Sequence, residues 1–267
     1  MKYVRLSTLL VVLTVALAGC SGGGVTDGSE NGTEAATGSP SSSGDSASSD
    51  GLSLTEADER LRDAGSFTTE WSYSVTEADG TTASITDTYR VDLDANRSVE
   101  LFSTTGPDST VEIETFVADG TVYSRYGGGQ EPFYNVNDQA PDVFDSATGR
   151  ASSFYGSLES DAQFVGTETF DGVTVSRYEY DDTAAWQTYN GATGSSMFGS
   201  DNVTVTDFTV SVLVDENDVA RLTMWTFSGR TDAGQSVSAE WRYSLTDIGS
   251  TTVSDPSWLA EAQAQQS

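Results

Sequence analysis

Between residues 67 and 245, apolar side chains recur at every second position over short stretches that end in turn residues. The first stretch alternates with polar residues and shows the pattern clearly: Phe67, Thr69, Trp71, Tyr73 and Val75. A period of two is typical of a β-strand with one buried face. Ala78-Asp79-Gly80 follows, and a second alternating stretch begins at Ala83. An Asp-Gly pair between two such stretches predicts a β-hairpin.

The same pattern is repeated along the chain, with Asp119-Gly120, Asp171-Gly172 and Asp215–Asp218 as further predicted turns. The predicted strands are 67–75, 83–93, 111–117, 122–126, 164–170, 173–180, 203–214, 219–227 and 237–245. Most strands are consecutive, so they are expected to pair antiparallel. Three segments favour helix or structured loop instead: 53–62, where Ser53 is a predicted N-cap, 140–160 and 182–199. We therefore predict an α+β, mainly β domain with about ten strands in an antiparallel meander.

The chain begins with a predicted export signal. Lys2 and Arg5 precede an apolar stretch, Leu6 to Ala16, that is too short to span a bilayer. Leu17-Ala18-Gly19-Cys20 resembles the lipobox of prokaryotic lipoproteins, which implies cleavage before Cys20 and lipid attachment to its sulfur. Residues 21–52 are rich in Gly, Ser, Thr, Asp and Glu and lack aromatic residues, so they predict a flexible linker.

These features predict four parts of the chain: a signal peptide at 1–19, a lipid anchor and linker at 20–52, a β domain at 53–260 and a C-terminal tail at 261–267. The expected location is the outer face of the cytoplasmic membrane, facing the exterior. Cys20 is the only cysteine, so a disulfide within the chain is excluded.

The charge of the chain is strongly negative. Its formal value is −29 in 267 residues, and Lys2 is the only lysine. The acidic residues are spread along the chain, as in proteins of salt-loving archaea, where high salt screens their mutual repulsion. We interpret the charge as surface solvation, with a specific cationic partner as the alternative. Such a charge repels nucleic acid, which is not an expected partner.

Most catalytic arrangements are excluded by composition. The chain has no histidine, and export removes its lysine, which excludes serine-histidine triads, histidine metal sites and P-loops. We predict no catalytic centre, no metal and no cofactor. A carboxylate-based glycoside hydrolase with Glu70 and Glu240 is a remote alternative. Asp215–Asp218 resembles the start of a calcium loop but lacks its later glycine and glutamate, so it is interpreted as a hairpin turn.

Two weaker patterns also occur. Sequons at Asn31, Asn96 and Asn202 are possible N-glycosylation sites in an exported chain. The segments 70–76 and 240–246 match at five of seven positions, and their aromatic residues are expected to face the same environment.

The order of helix, meander, helical insert, meander and a final Pro256-Ser257-Trp258 resembles that of LolA- and LppX-like lipoprotein carriers. The chain also resembles acidic surface lipoproteins of salt-loving archaea. The carrier resemblance implies a half-barrel with short helices over its concave face, where an apolar ligand is held. The implied lining is Trp71, Tyr73, Tyr89, Phe116, Tyr123, Trp225, Trp241 and Tyr243. These residues form either an ordinary covered core or an open ligand cavity.

Two main functional hypotheses follow. The first is a non-catalytic, membrane-anchored domain that binds an apolar, lipid-like ligand. The second is a closed-core structural or interaction domain that contacts other proteins of the cell envelope.

Overall fold

The computed structural model describes residues 57–107, 109–127, 132–149, 162–183 and 203–265. In these ranges the chain forms eleven strands and three short helices. The helices are α1 (Ala57–Ala64), α2 (Val143–Thr148) and α3 (Leu259–Ala264). The strands are β1 (Ser66–Thr76), β2 (Thr82–Asp92), β3 (Arg97–Thr105), β4 (Thr110–Ala118), β5 (Thr121–Gly127), β6 (Phe133–Asn137), β7 (Gln163–Phe170), β8 (Val173–Asp181), β9 (Val203–Asp215), β10 (Ala220–Thr231) and β11 (Ser236–Thr246).

All eleven strands lie in one open, curled antiparallel sheet, in the order β6-β5-β4-β3-β2-β1-β11-β10-β9-β8-β7. Two meanders meet where β1 pairs with β11, from Thr68 opposite Thr246 to Thr76 opposite Ser238. The mainly β fold class and the antiparallel meander are thus confirmed. The strands without a predicted counterpart are β3, which mixes polar and apolar residues on both faces, and the short β6.

The predicted turns are confirmed by their backbone geometry. Asp119 and Gly120 have φ of 53° and 76°, and Asp171 and Gly172 have 49° and 77°. Two residues with positive φ between paired strands form the turn that matches the right-handed twist of a hairpin. The β9–β10 turn is closed differently, because Asp215 Oδ1 accepts the N–H groups of Asn217 and Val219 at 2.9 and 3.1 Å.

One face of the sheet, here named the inner face, carries Phe67, Trp71 and Val75 of β1 and the residues in register with them. Helices α1 and α2 pack on it through Leu61 and Phe144, which are 2% and 1% exposed. The ring of Phe144 meets that of Phe67 edge-on, with centroids 5.7 Å apart. Asp142 caps α2 by accepting the N–H groups of Phe144 and Asp145. The expected placement of helices over this face is therefore found.

The opposite face, the outer face, is covered at one end by α3. Tyr134 of β6 stacks on Trp258 at a centroid distance of 5.9 Å and donates a hydrogen bond of 2.6 Å to Glu261. Ala262 is 0% exposed. This packed helix extends past the predicted domain boundary at residue 260, to Ala264.

Several predictions lie outside the described residues: the signal peptide, Cys20, the linker, the capped start of the first helix, residues 150–160 and most of 182–199. None of the described helices combines the length and apolarity needed to cross a membrane.

Candidate ligand-binding face

A single row of residues crosses the whole inner face, with one member from each strand. The register pairs each member directly with the next. In spatial order from β7 to β6 the row consists of Phe164, Tyr178, Val212, Thr223, Tyr243, Trp71, Asp87, Phe102, Ile113, Tyr126 and Phe133. All members except Thr223 and Asp87 are apolar or aromatic, so the sheet presents a mainly apolar band from edge to edge, interrupted by these two polar residues near its centre.

The burial of this row changes from its centre to its ends. Thr223, Tyr243 and Asp87 are 1%, 2% and 1% exposed, whereas Phe164 and Phe133 at the two ends are 58% and 65% exposed. Each end residue packs against its neighbour in the row: Phe164 lies 5.8 Å from Tyr178 and Phe133 lies 5.7 Å from Tyr126, measured between ring centroids. The band is therefore covered in the middle and open to solvent at both edges.

Helix α2 provides part of the central cover. The backbone carbonyl of Ala147 accepts hydrogen bonds from Thr69 Oγ1 at 3.4 Å and Tyr243 Oη at 3.5 Å. Both donors lie on the inner face of the central strands. The polar tips of these side chains are thus satisfied beneath the helix, which leaves their apolar parts to pack in the core.

A second cluster lies beside the row. Trp225 of β10 contacts both Tyr73 and Phe208 at centroid distances of 6.1 Å. Trp225 is 0% exposed, and burial raises the pKa of the Tyr73 phenol. Nearby on the same face, Tyr89 donates a hydrogen bond of 2.7 Å to Glu100 Oε1. Half-buried aromatic rings therefore border a fully buried core.

The implied ligand lining is only partly brought together. Six of its residues lie on the inner face: Trp71, Tyr73, Tyr89, Trp225, Trp241 and Tyr243. Phe116 and Tyr123 pair with each other on the outer face, where they pack with the α3 cluster. Their placement corrects the predicted lining: the neighbouring pair Val117 and Val122 points to the inner face, and alternation sends Phe116 and Tyr123 to the other side.

The other nine members of the row were not predicted as lining: Phe164, Tyr178, Val212, Thr223, Asp87, Phe102, Ile113, Tyr126 and Phe133. The signal for some of them is present in the sequence. A two-residue turn at Asp119-Gly120 pairs residues at equal distance from it, which places Tyr126 opposite Ile113. The turn fixes which residues of β4 and β5 pair, but it does not determine which face of the hairpin lies on the inner face of the sheet.

Charge is distributed unequally between the two faces. The register places the arginines of β2, β3, β5, β8 and β11 on the outer face, and these are Arg90, Arg97, Arg125, Arg177 and Arg242. The inner face carries the carboxylates of Asp87 and Glu100 and none of these arginines, whereas the outer face also carries carboxylates such as Glu114 and Glu240. The chemistry of the inner face suits apolar groups and does not suit an anion.

The remaining predicted sites are separate from this face. Glu70 lies opposite Ser244 and Glu240 lies opposite Ser74, so the two acids are four positions apart along paired strands. That offset is about 13 Å at 3.3 Å per residue, beyond the carboxyl separation of glycosidases. Asn96 is exposed in the β2–β3 turn. Asn31, Asn202 and Cys20 lie outside the described residues. Among the described residues, no group of three or more acidic or cysteine side chains is arranged to hold a metal.

A family model described as a family of unknown function, DUF7537, matches residues 5–262. The chain belongs to this family. No curated protein matches the chain.

The solved structures that resemble the chain include three that cover 76–77% of it. LprF from Mycobacterium bovis is 14% identical, with a TM-score of 0.36 and coverage of 77% of this chain and 98% of LprF. MucB, in a complex with MucA, is 14% identical, with a TM-score of 0.26 and coverage of 77% of this chain and 58% of MucB. The LolA superfamily protein NE2245 from Nitrosomonas europaea is 11% identical, with a TM-score of 0.23 and coverage of 76% of this chain and 93% of NE2245. At these scores none of the three decides the function of the chain.

Proposed function

We propose that this member of DUF7537 is a membrane-anchored extracellular lipoprotein whose inner face binds an apolar, lipid-like ligand without catalysing a reaction. The observation that carries the proposal is the mainly apolar row across all eleven strands, which ends at each edge of the sheet in an exposed aromatic residue packed against its aromatic neighbour in the row. Exposed apolar surface that is contiguous is characteristic of binding sites, whereas scattered exposed residues need no explanation.

The exposed rings at the two ends of the row favour contact with an apolar ligand. Burying a Phe side chain is worth about 1.5–3 kcal/mol, so a ligand that covers Phe133 or Phe164 gains from each ring. The rings are held by neighbours in register, Tyr126 and Tyr178, and lose little freedom on binding. The inner-face carboxylates of Asp87 and Glu100 disfavour a ligand whose anionic group enters the face.

The proposed anchor is a lipid on Cys20, with residues 21–52 as the spacer to the domain. This proposal rests on the signal and lipobox pattern. Replacing Cys20 with Ser in the full chain removes the sulfur that would carry the lipid. We expect the variant to appear in the medium, while a Ser21→Ala control stays with the membrane. A Cys20→Ser protein that remains membrane-bound would refute the anchor.

The test of ligand binding uses protein purified from its own membrane without added detergent. Native mass spectrometry and organic extraction should reveal a bound apolar molecule, and the ligand-free protein should take up a fluorescent apolar dye. Absence of both an extracted molecule and dye uptake would remove the proposal.

A matched pair of variants locates the site on the inner face. Tyr126 on the inner face and Leu101 on the outer face are both 39% exposed. We expect Tyr126→Ser to weaken dye binding and Leu101→Ser to leave it unchanged, because only the first residue lies in the row. Equal effects of the two substitutions would contradict an inner-face site.

A second candidate is a closed interaction domain of the cell envelope. The observation that favours it is the cover of the centre of the row by α2, where Tyr243 is 2% exposed and donates a hydrogen bond to the carbonyl of Ala147. In this case the exposed row ends contact a protein partner. Crosslinking on whole cells from position 133 would then capture an envelope protein, and purified protein would contain no extractable lipid.

A further inference from the structure

A cavity of about 720 Å³ lies at one end of the sheet, between α1, β8 and the β9–β10 turn. Leu61, Val175, Val219 and Ile248 supply apolar parts of its wall. None of the residues in the apolar row lines it, so it is a feature separate from the proposed ligand-binding face. Its size is in the range of small-molecule sites.

Arg221 lines this cavity and is only 6% exposed. Its Nε lies 3.2 Å from Asp215 Oδ2, while its buried Nη1 makes no hydrogen bond with any described residue. Arginine keeps its charge in proteins and has five N–H donors, so a buried guanidinium needs acceptors. Asp215 has little capacity left to supply them, since its Oδ1 already accepts the N–H groups of Asn217 and Val219.

The charged residues around the cavity limit which kind of anion it can bind. Its wall holds two arginines, Arg60 and Arg221, and three carboxylates, Asp63, Asp215 and Glu216. Arg60 forms an ion pair with Asp218, in which Nη2 lies 4.0 Å from Oδ2. The excess of carboxylates repels a dianion twice as strongly as a monoanion. An ion such as phosphate is therefore disfavoured relative to a singly charged group.

We propose that this cavity binds a small organic monocarboxylate, whose carboxylate accepts hydrogen bonds from Arg221 and whose apolar body lies against Leu61, Val175 and Ile248. The inference goes beyond the proposed function and does not depend on it. A charged donor paired with a carboxylate gives specificity for the head group, and the apolar wall selects for a short hydrocarbon body.

Hexanoate is the probe for the test, with 1-hexanol as its uncharged counterpart and inorganic phosphate as the dianion. Titration of isotope-labelled protein by NMR should show shifts at the Arg221 side chain and the Ile248 methyl groups with hexanoate. Arg221→Gln should weaken hexanoate binding by about tenfold, the loss expected for one hydrogen bond to a charged group. An Arg125→Gln control on β5 removes a distant arginine and should bind hexanoate normally. Hexanoate binding that persists unchanged in Arg221→Gln, or equal shifts with 1-hexanol, would overturn the proposal.

Because Arg221→Gln leaves Asp215 without its guanidinium partner, a second variant tests the site with less risk to folding. Glu216 is exposed at the cavity wall, and Glu216→Gln removes one repulsive charge. We expect hexanoate to bind about two- to threefold more tightly, at the lowest salt concentration that preserves the folded spectrum. The matched control is Glu240→Gln, an exposed position on β11 outside the cavity. Unchanged affinity in Glu216→Gln, or the same gain in Glu240→Gln, would refute a local anion site.

Discussion

The rings of Tyr73 and Trp225 lie 6.1 Å apart, although β11 runs between the strands that carry them. Two strands separated by a third are about 9.5 Å apart in a flat sheet. The two large side chains therefore reach each other on the inner face across the intervening strand. The first strand of the domain and the two final strands thus share one aromatic core.

Truncating Trp225 should be the most damaging change in this core. Trp225 is 0% exposed, and Trp225→Ala leaves a cavity beside Tyr73 and Phe208. We expect a loss of about 3–5 kcal/mol in the free energy of unfolding, measured by denaturant titration at constant salt. Met224→Ala changes the adjacent, half-buried residue on the outer face and should cost clearly less. Equal losses would mean that the inner-face core is not the main stabilising cluster.

The pH dependence of stability should be set in part by Tyr73. Burial raises the pKa of its phenol above the ordinary value near 10. Because the folded state favours the protonated phenol, this stability is fully present below about pH 10 and decreases as the pH rises above it. Tyr73→Phe should therefore lose less stability than the unaltered protein between about pH 9.5 and 11.5, as measured by urea unfolding. The control is the same comparison at pH 7, where the phenol is protonated in both states and the difference in stability between the two proteins should not change with small changes in pH. An identical pH dependence in Tyr73→Phe would contradict the effect.

The hairpin at Asp119-Gly120 should depend on glycine for its backbone conformation alone. A Cβ at Gly120 or at Gly127 would meet no atom within 4 Å, but only Gly120 has a positive φ, at 76°. Gly120→Ala should cost about 1 kcal/mol in unfolding free energy, whereas Gly127→Ala should be close to neutral. Chemical denaturation of both variants makes the comparison, and a neutral Gly120→Ala would argue against the left-handed turn.

The C-terminal helix should tolerate substitution on one side only. Ala262 is 0% exposed against the outer face, while Ala260 in the same helix is exposed. Ala262→Asp buries a charge without an ion-pair partner and should cost about 3 kcal/mol or more. Ala260→Asp should have little effect. Thermal unfolding and hydrogen exchange of α3 measure both, and similar behaviour of the two variants would show that α3 does not pack as described.

Much of the β structure follows from local patterns. The alternation from Phe67 to Val75 predicts β1 and groups the residues of its inner face correctly. The segments 70–76 and 240–246, which match at five of seven positions, lie side by side in the sheet. They pair with each other and place Trp71 opposite Tyr243. The prediction that Phe116 and Tyr123 line the same face as Trp71 is not met, because both lie on the outer face. Both faces of β4 and β5 carry apolar residues, because α3 covers the outer one, and alternation alone does not rank two apolar faces.

Local sequence patterns are enough to predict nine of the eleven strands, the turns and the class of fold, because a period of two and residues that accept positive φ act over a few positions. The sequence also carries the predicted anchor at Cys20 and excludes histidine chemistry, since these depend on which residues are present. The pairing of β1 with β11, the row from Phe164 to Phe133 and the cavity around Arg221 become visible only in the folded chain. These arise from contacts between residues far apart in the chain, where packing and register, and not local preference, select the neighbours.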